Sequence, residues 1–203
     1  IGTAQDHKRV GDGDTGLNTG GMGAYSPAPI LNEEVLKKTV ERIIRPTMRE
    51  MVRRGMPFTG VLYAGLMIHD SDPRLVEYNV RFGDPECQVI MMRLGGQILD
   101  ALLSTANGEL SDVKINWAED HSITVVMASN GYPGSYKKGT QINGLANLPS
   151  DSNSICFHAG TMEKNGKIVA NGGRVLNITT RAETLIEAQK SAYEMIVTID
   201  WPE

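Results

Sequence analysis

The chain has 203 residues, with 20 Lys+Arg against 24 Asp+Glu and a formal net charge of −4. This slight acidity argues against a general nucleic-acid surface, which needs a Lys/Arg excess, and no apolar run approaches the roughly 18–20 residues of a membrane span. Two cysteines, Cys87 and Cys156, make neither a disulfide framework nor a zinc cluster, so a reduced, cytoplasmic protein is expected.

Residues 1–9 carry no initiator Met and no hydrophobic signal core, and residues 199–203 have no terminal character. The chain therefore reads as a piece excised from a longer one. Residues 11–23, GDGDTGLNTGGMG, hold six glycines in thirteen residues and read as a functional loop. Residues 32–54 predict a helix with Asn32 as N-cap, Glu33 and Glu34 in its first turn and Gly55 as its stop, kinked or broken by Pro46. Residues 60–69 predict a buried strand, 69–73 a turn, and 74–82 a returning strand. Asp84-Pro85-Glu86 then predicts a cap, a proline at the first helical position and an acidic first turn.

The helix that follows is interrupted by Gly95-Gly96 and resumes to Asn107-Gly108. A domain boundary is expected within residues 111–122, which separates a segment 1–115 from a segment 116–203. Beyond it, strands are predicted at 123–129, 155–162, 167–170 and 175–179, with a hairpin turn at Lys164-Asn165-Gly166-Lys167. Thr180-Arg181-Ala182-Glu183 reads as a capping box for a last helix whose apolar residues are Leu185, Ile186, Tyr193, Ile196 and Val197. The class is α+β.

Residues 11–16 fit G-x-G-x-x-G, but a dinucleotide site needs a strand before that pattern and a helix after it. Two aspartates inside it would also repel phosphate. Two readings stand: a flexible surface loop, or a loop closing over an amine or sugar substrate, with Asp12 or Asp14 as acceptors. In strand 74–82, alternation puts Val76, Tyr78, Val80 and Phe82 on one face and Leu75, Glu77, Asn79 and Arg81 on the other. Residues two apart lie roughly 6.6 Å apart along a strand. Glu77 and Asn79 offer hard oxygen ligands suited to Mg²⁺, with Arg81 reaching a neighbouring anion; the bland reading is a solvated sheet face. Gly83 allows close backbone approach next to a helix start, and Asp84 serves as a cap or a substrate contact. The cluster His7-Lys8-Arg9 is either solvated or a phosphate or acyl-phosphate contact. No arrangement for a covalent nucleophile is apparent.

The segments QDHKR at 5–9, GDGDTGLNTGGMGAYSPAP at 11–29 and EYNVRFGDPECQ at 77–88 resemble the glycinamide ribonucleotide synthetase family of purine synthesis, a branch of the ATP-grasp superfamily. TVVMASNGYPGSYKKG at 124–139 and FHAGT with NGKIVANGGRVL at 157–176 resemble its C-terminal domain. The resemblance implies the second half of an ATP-grasp domain (1–115), followed by a small, mostly antiparallel β domain with one helix (116–203). It implies ATP-dependent ligation of glycine to 5-phosphoribosylamine through glycyl phosphate, in the cytoplasm, with no nucleic-acid or membrane partner. Glu77 and Asn79 would hold Mg²⁺ or Mn²⁺, and Arg81, Lys8 and Arg9 would serve the transferring phosphoryl group. Asp12, Asp14, Gly20, Gly21, Gly83 and Asp84 would bind substrate. Many ATP-grasp enzymes carry another acid on the preceding strand, where Gly65-Leu66-Met67 offers none. The fragment alone is expected to be inactive. The alternatives are another ATP-grasp carboxylate–amine ligase or carboxylase, or a non-catalytic module that binds Mg²⁺ and phosphate.

Overall fold

In the computed structural model, which describes residues 1–202, the alternating run after the polar stretch forms β7 (His121–Ala128). Its long partner is β11 (Arg174–Ala182), antiparallel to it, with β8 (Ser154–His158) on the other side of β11. The sheet is completed by two strands from the start of the chain. These are β4 (Gly23–Ser26), antiparallel to β7, and β1 (Gln5–Asp6), antiparallel to β4. The order is β1-β4-β7-β11-β8.

Side chains alternate across this sheet, so each face packs on something different. Leu176 and Ile178 of β11 are fully buried in a cluster with Ala192 and Met195 of α5 (Leu185–Ile196), against which Ile123, Val125 and Met127 of β7 also pack. The opposite face carries Thr124 and Thr179, both buried, whose hydroxyls lie 2.7 Å apart. Helix α3 (Glu86–Leu94) packs on β4, β7 and β11. Arg181, which shares the parity of Thr179, donates to the Met92 carbonyl of α3 at 3.0 Å.

The compact unit built on this sheet comprises Ile1–Pro27, Asp84–Gly95 and Trp117–Glu203. This unit draws on both sides of residue 115, because β1 and β4 hydrogen-bond onto the sheet of the later strands. Residues 11–23 are not one loop. They supply the end of β2 (Arg9–Gly11), all of β3 (Thr15–Asn18), which pairs with it antiparallel, and the start of β4. The stretch 155–162 is two strands rather than one, β8 and β9 (Thr161–Lys164). β9 turns into β10 (Lys167–Ala170) through Asn165 and Gly166, both at positive φ, as the sequence predicts for that turn. The capping box sits four residues later than expected. Thr180 is buried in β11 and donates to the Ala188 carbonyl, whereas Thr184 and Glu187 cap α5 reciprocally. Ile186, Tyr193 and Val197 are exposed, and Ala188, Ala192 and Met195 form the buried face.

The second compact unit comprises Ala28–Gly83 and Gly96–Asn116. Asn32 caps α1 (Glu33–Thr39), accepting from the Val35 amide at 3.0 Å. A π-helical turn at Val40–Ile44 leads into α2 (Arg45–Arg53). Pro46 has no N–H for the Arg42 carbonyl, and its ring crowds that oxygen, so the ladder widens just ahead of it. Strands β5 (Tyr63–His69) and β6 (Asp72–Asn79) form a hairpin through Asp70 and Ser71, both at positive φ. β5 is half-buried to exposed rather than buried, with Met67 63% exposed. The predicted return strand ends at Asn79, and Leu66 and Gly65 pair with Leu75 and Glu77, leaving Val76 as a bulge. The bulge breaks the two-residue alternation, and Val76 and Val80 are exposed instead of sharing a buried face. Tyr78 does point inward, its hydroxyl donating to the Ile43 carbonyl. Helix α4 (Gln97–Asn107) ends at Gly108 in the left-handed conformation. No single helix among the described residues is long and apolar enough to cross a membrane.

Candidate active site

In the hairpin unit, Glu77 and Asn79 share a side of β6 at its C-terminal end. The Asn79 amide donates to Glu77 Oε1 at 3.0 Å, so the two groups converge. Gly65 stands directly opposite Glu77, and the Glu77 side chain lies over the space that a Cβ there would enter. Arg81 is beyond the end of the strand. Its guanidinium donates to the Phe82 carbonyl at 2.8 Å and reaches the Asn79 amide oxygen at 3.5 Å. Gly83, two residues on, is buried. A carboxylate and an amide oxygen within hydrogen-bond distance of one another suit a hard divalent cation that takes its other ligands from phosphate and water. The donor set fits such an ion once the Asn79 amide turns its oxygen toward Glu77. Among the described residues, no cluster of three or more His, Cys, Asp or Glu side chains offers a competing cage.

In the sheet unit, the predicted residues fall into two groups. Arg9 donates to the Gly16 carbonyl at 2.7 Å, and the Asp12 carbonyl accepts from the Thr15 hydroxyl at 2.8 Å. Asp14 occupies the left-handed turn between β2 and β3 with its side chain exposed. These contacts are local to the hairpin. A strand and not a helix follows it, which a dinucleotide fingerprint does not allow. Lys8 pairs with Asp6, whose side chain is only 7% exposed. Burial pushes the Asp6 carboxyl above its ordinary value and the nearby Glu86 adds to this, while Lys8 opposes it by a hydrogen bond and by charge.

The second group is drawn together by a residue that sequence reasoning passed over. Arg174, at the start of β11, donates to the carbonyls of Gly20, Gly21 and Asp84 and to the Asp84 carboxylate. Asp84 therefore does not cap α3; Pro85 holds that position, and the other Asp84 oxygen accepts from Gln88 at 3.1 Å. The Tyr132 hydroxyl accepts from the Gly20 amide at 2.9 Å. Neither Arg174 nor Tyr132 sits in a pattern with chemical meaning by itself; the Gly172-Gly173 pair before Arg174 was the only local hint. Both thiols are free, and burial raises both, Cys156 to about 11, so neither is a thiolate nucleophile at neutral pH.

These features belong to a recognised class. A crystal structure of phosphoribosylamine–glycine ligase from Thermotoga maritima is similar with a TM-score of 0.87 at 38% identity, over 98% of this chain and 48% of that one. The biotin carboxylase domain of a thermophilic 2-oxoglutarate carboxylase shares the fold alone, with a TM-score of 0.66 at 15% identity over 100% of this chain and 43% of that one. The fold is that of the ATP-grasp ligases. Residues 1–87 match the ATP-grasp (A) domain of phosphoribosylglycinamide synthetase, and residues 122–203 match its C domain. The chain belongs to the phosphoribosylglycinamide synthetase family. The phosphoribosylamine–glycine ligase of Brucella melitensis is 55% identical over 203 residues, which are 100% of this chain and 48% of that protein. The chloroplastic ligase of Arabidopsis thaliana is 53% identical over 204 residues, covering 98% of this chain and 38% of that protein. The chain spans about half the length of the curated relatives it matches.

Proposed function

We propose that this chain supplies part of the active site of an enzyme that ligates glycine to 5-phosphoribosylamine with ATP. In this reading, residues 1–115 are the C-terminal half of the ATP-grasp domain and residues 116–203 are the small C-terminal domain. The enzyme works on small molecules in the cytoplasm, with no nucleic-acid or membrane partner.

A carboxylate is a poor electrophile because oxide would have to leave. A glycine carboxylate oxygen attacks the γ-phosphorus of ATP, ADP departs, and glycyl phosphate results. The amine of phosphoribosylamine then attacks the carbonyl carbon and loses a proton, and phosphate leaves with the bridging oxygen. The products are glycinamide ribonucleotide, ADP and phosphate. Phosphoryl transfer of this kind depends on positioning and on neutralising charge, and needs no covalent nucleophile.

Glu77 and Asn79 would hold Mg²⁺ or Mn²⁺, which when bound neutralises triphosphate charge. Arg81 sets its planar guanidinium beside them, toward the transferring group. Lys8 and Arg9 contribute positive charge near the Gly-rich hairpin, Lys8 after release from Asp6. Asp12, Asp14, Gly20, Gly21, Gly83 and Asp84 bind substrate. The observation that carries the reading is the convergence of Glu77, Asn79 and Arg81 at one end of β6.

The test is a chimera in which these 203 residues replace the matching segment of the Brucella melitensis relative. Glu77→Ala is expected to reduce glycine-dependent phosphate release by about 10²-fold or more with the thermal midpoint unchanged. Arg81→Lys, tested separately, is expected to lose phosphate release as well, since an ammonium cannot form the planar fork. Normal Mg²⁺-dependent turnover by Glu77→Ala sinks the assignment.

A further inference from the structure

We infer that Arg174 and Tyr132 are positioning residues: they lock the Gly20–Gly21 turn to Asp84 and thereby set the substrate-binding backbone from the C-terminal domain. This rests on the function proposed above, in which Gly20, Gly21 and Asp84 bind substrate. Asp84 lies 63 residues beyond Gly21, and Arg174 lies a further 90 residues along the chain. One guanidinium nevertheless serves all three. Nη1 donates to Gly20 O at 2.9 Å, Asp84 O at 2.8 Å and, at 3.3 Å, Gly21 O, while Nη2 donates to Asp84 Oδ2 at 3.2 Å.

The Arg174 side chain is 20% exposed and that of Asp84 48%, so the cluster stands at the solvent edge and its hold lies in the number and geometry of its bonds rather than in burial. Four acceptors on one rigid plane fix the relative position of two backbone segments, which a lysine's point charge cannot do. Gly20 is held from its other side as well, its amide donating to the Tyr132 hydroxyl at 2.9 Å. Tyr132 is seated by the absence of a side chain at Gly173, where a Cβ would lie 2.2 Å from its ring. Ser129 ties the same strand entry: its amide donates to the Gly173 carbonyl, its hydroxyl to the Gly172 carbonyl, and its own carbonyl accepts from the Tyr132 amide at 3.0 Å. Gly173 and Arg174 therefore act together: the glycine admits the tyrosine, and the arginine reaches the turn that the tyrosine holds. Nη1 and one Nη2 hydrogen of Arg174 are committed to protein acceptors, which makes its role geometric rather than direct contact with substrate.

Tyr132→Phe tests this most gently, since it deletes one hydroxyl and keeps the ring; Arg174→Lys keeps the charge and removes the fork. Amide exchange is read by NMR in the 203-residue chain, and steady-state kinetics in the Brucella chimera. Tyr132→Phe is expected to speed exchange at Gly20 about tenfold while β7 and β11 amides keep their rates. In the chimera, both variants are expected to raise KM for 5-phosphoribosylamine about fivefold or more, with KM for ATP unchanged. Arg174→Lys should therefore fail to rescue. Gly20 exchange at the wild-type rate overturns the proposal, as does faster exchange accompanied by wild-type KM. A wild-type chimera that makes no glycinamide ribonucleotide defeats the functional reading instead, and the Gly20 exchange rate still decides the clamp.

Discussion

Gly21→Ala probes the seam where the Gly-rich turn meets the start of α3. Gly21 has φ +116°, which an L side chain rarely adopts, and a Cβ there would lie 2.4 Å from Pro85 Cδ and 2.7 Å from Asp6 Oδ1. Carbon pairs settle at about 3.5–4.0 Å, so the neighbours must yield by roughly 1 Å. Pro85 is a fully buried ring and Asp6 a nearly buried carboxylate, so neither can swing aside. The conformational part costs about 1–2 kcal/mol and the overpacking about 1–3 kcal/mol. Gly13→Ala is the control, since φ is +67° and nothing lies within 4 Å of its Cβ. The loss of unfolded-state entropy is common to both variants and cancels in the comparison.

Gly21→Ala should therefore be the less stable of the two by about 1–3 kcal/mol, a urea midpoint roughly 1 M lower for an m-value near 2 kcal/mol/M. Both tryptophans, Trp117 and Trp201, lie in the sheet unit, so their fluorescence follows the unfolding of that unit. Equal midpoints for the two alanine variants would refute the argument from contact.

Arg93→Met should destabilise the sheet unit by about 2–4 kcal/mol, because it strips donors from the Ala118 and Asp120 carbonyls and from the Ser26 hydroxyl; urea unfolding measures it, and a loss under 1 kcal/mol would contradict it. Asp6 predicts an unusual pH dependence. Burial holds its folded carboxyl above the ordinary value of 3.8, so the folded state binds more protons than the unfolded one between those values. Its contribution to stability is full below the unfolded value and is lost as pH rises through the folded one. The stability of Asp6→Asn relative to wild type should accordingly improve from pH 3.5 to pH 7, and a flat or falling difference in urea midpoints would reverse the sign.

What could be read from sequence was local. Asn32 and the Asn165-Gly166 turn depend on residues within a few positions, and both form as expected. Glu77 and Asn79 were legible because their spacing survives the bulge, which falls one residue earlier at Val76. The Gly-rich stretch misled because its order comes from afar: β4 pairs with β7, about a hundred residues later, and glycine content alone cannot announce a partner. Two Ser/Thr-x-x-Glu patterns follow one another at 180–183 and 184–187. Choosing between them required knowing that Thr180 is buried in a central strand. Arg174 and Tyr132 act through backbone atoms of distant segments, which leave no periodic or spaced trace in the chain.

Activation of glycine as an acyl phosphate is tested by oxygen transfer. The Brucella chimera would be given ATP, 5-phosphoribosylamine and glycine labelled with ¹⁸O in its carboxylate, and the inorganic phosphate analysed by mass. Attack of the carboxylate on the γ-phosphorus leaves the bridging oxygen with phosphate, so each phosphate released with product should carry one ¹⁸O from glycine. Phosphate without label, formed together with glycinamide ribonucleotide, would rule out the acyl phosphate.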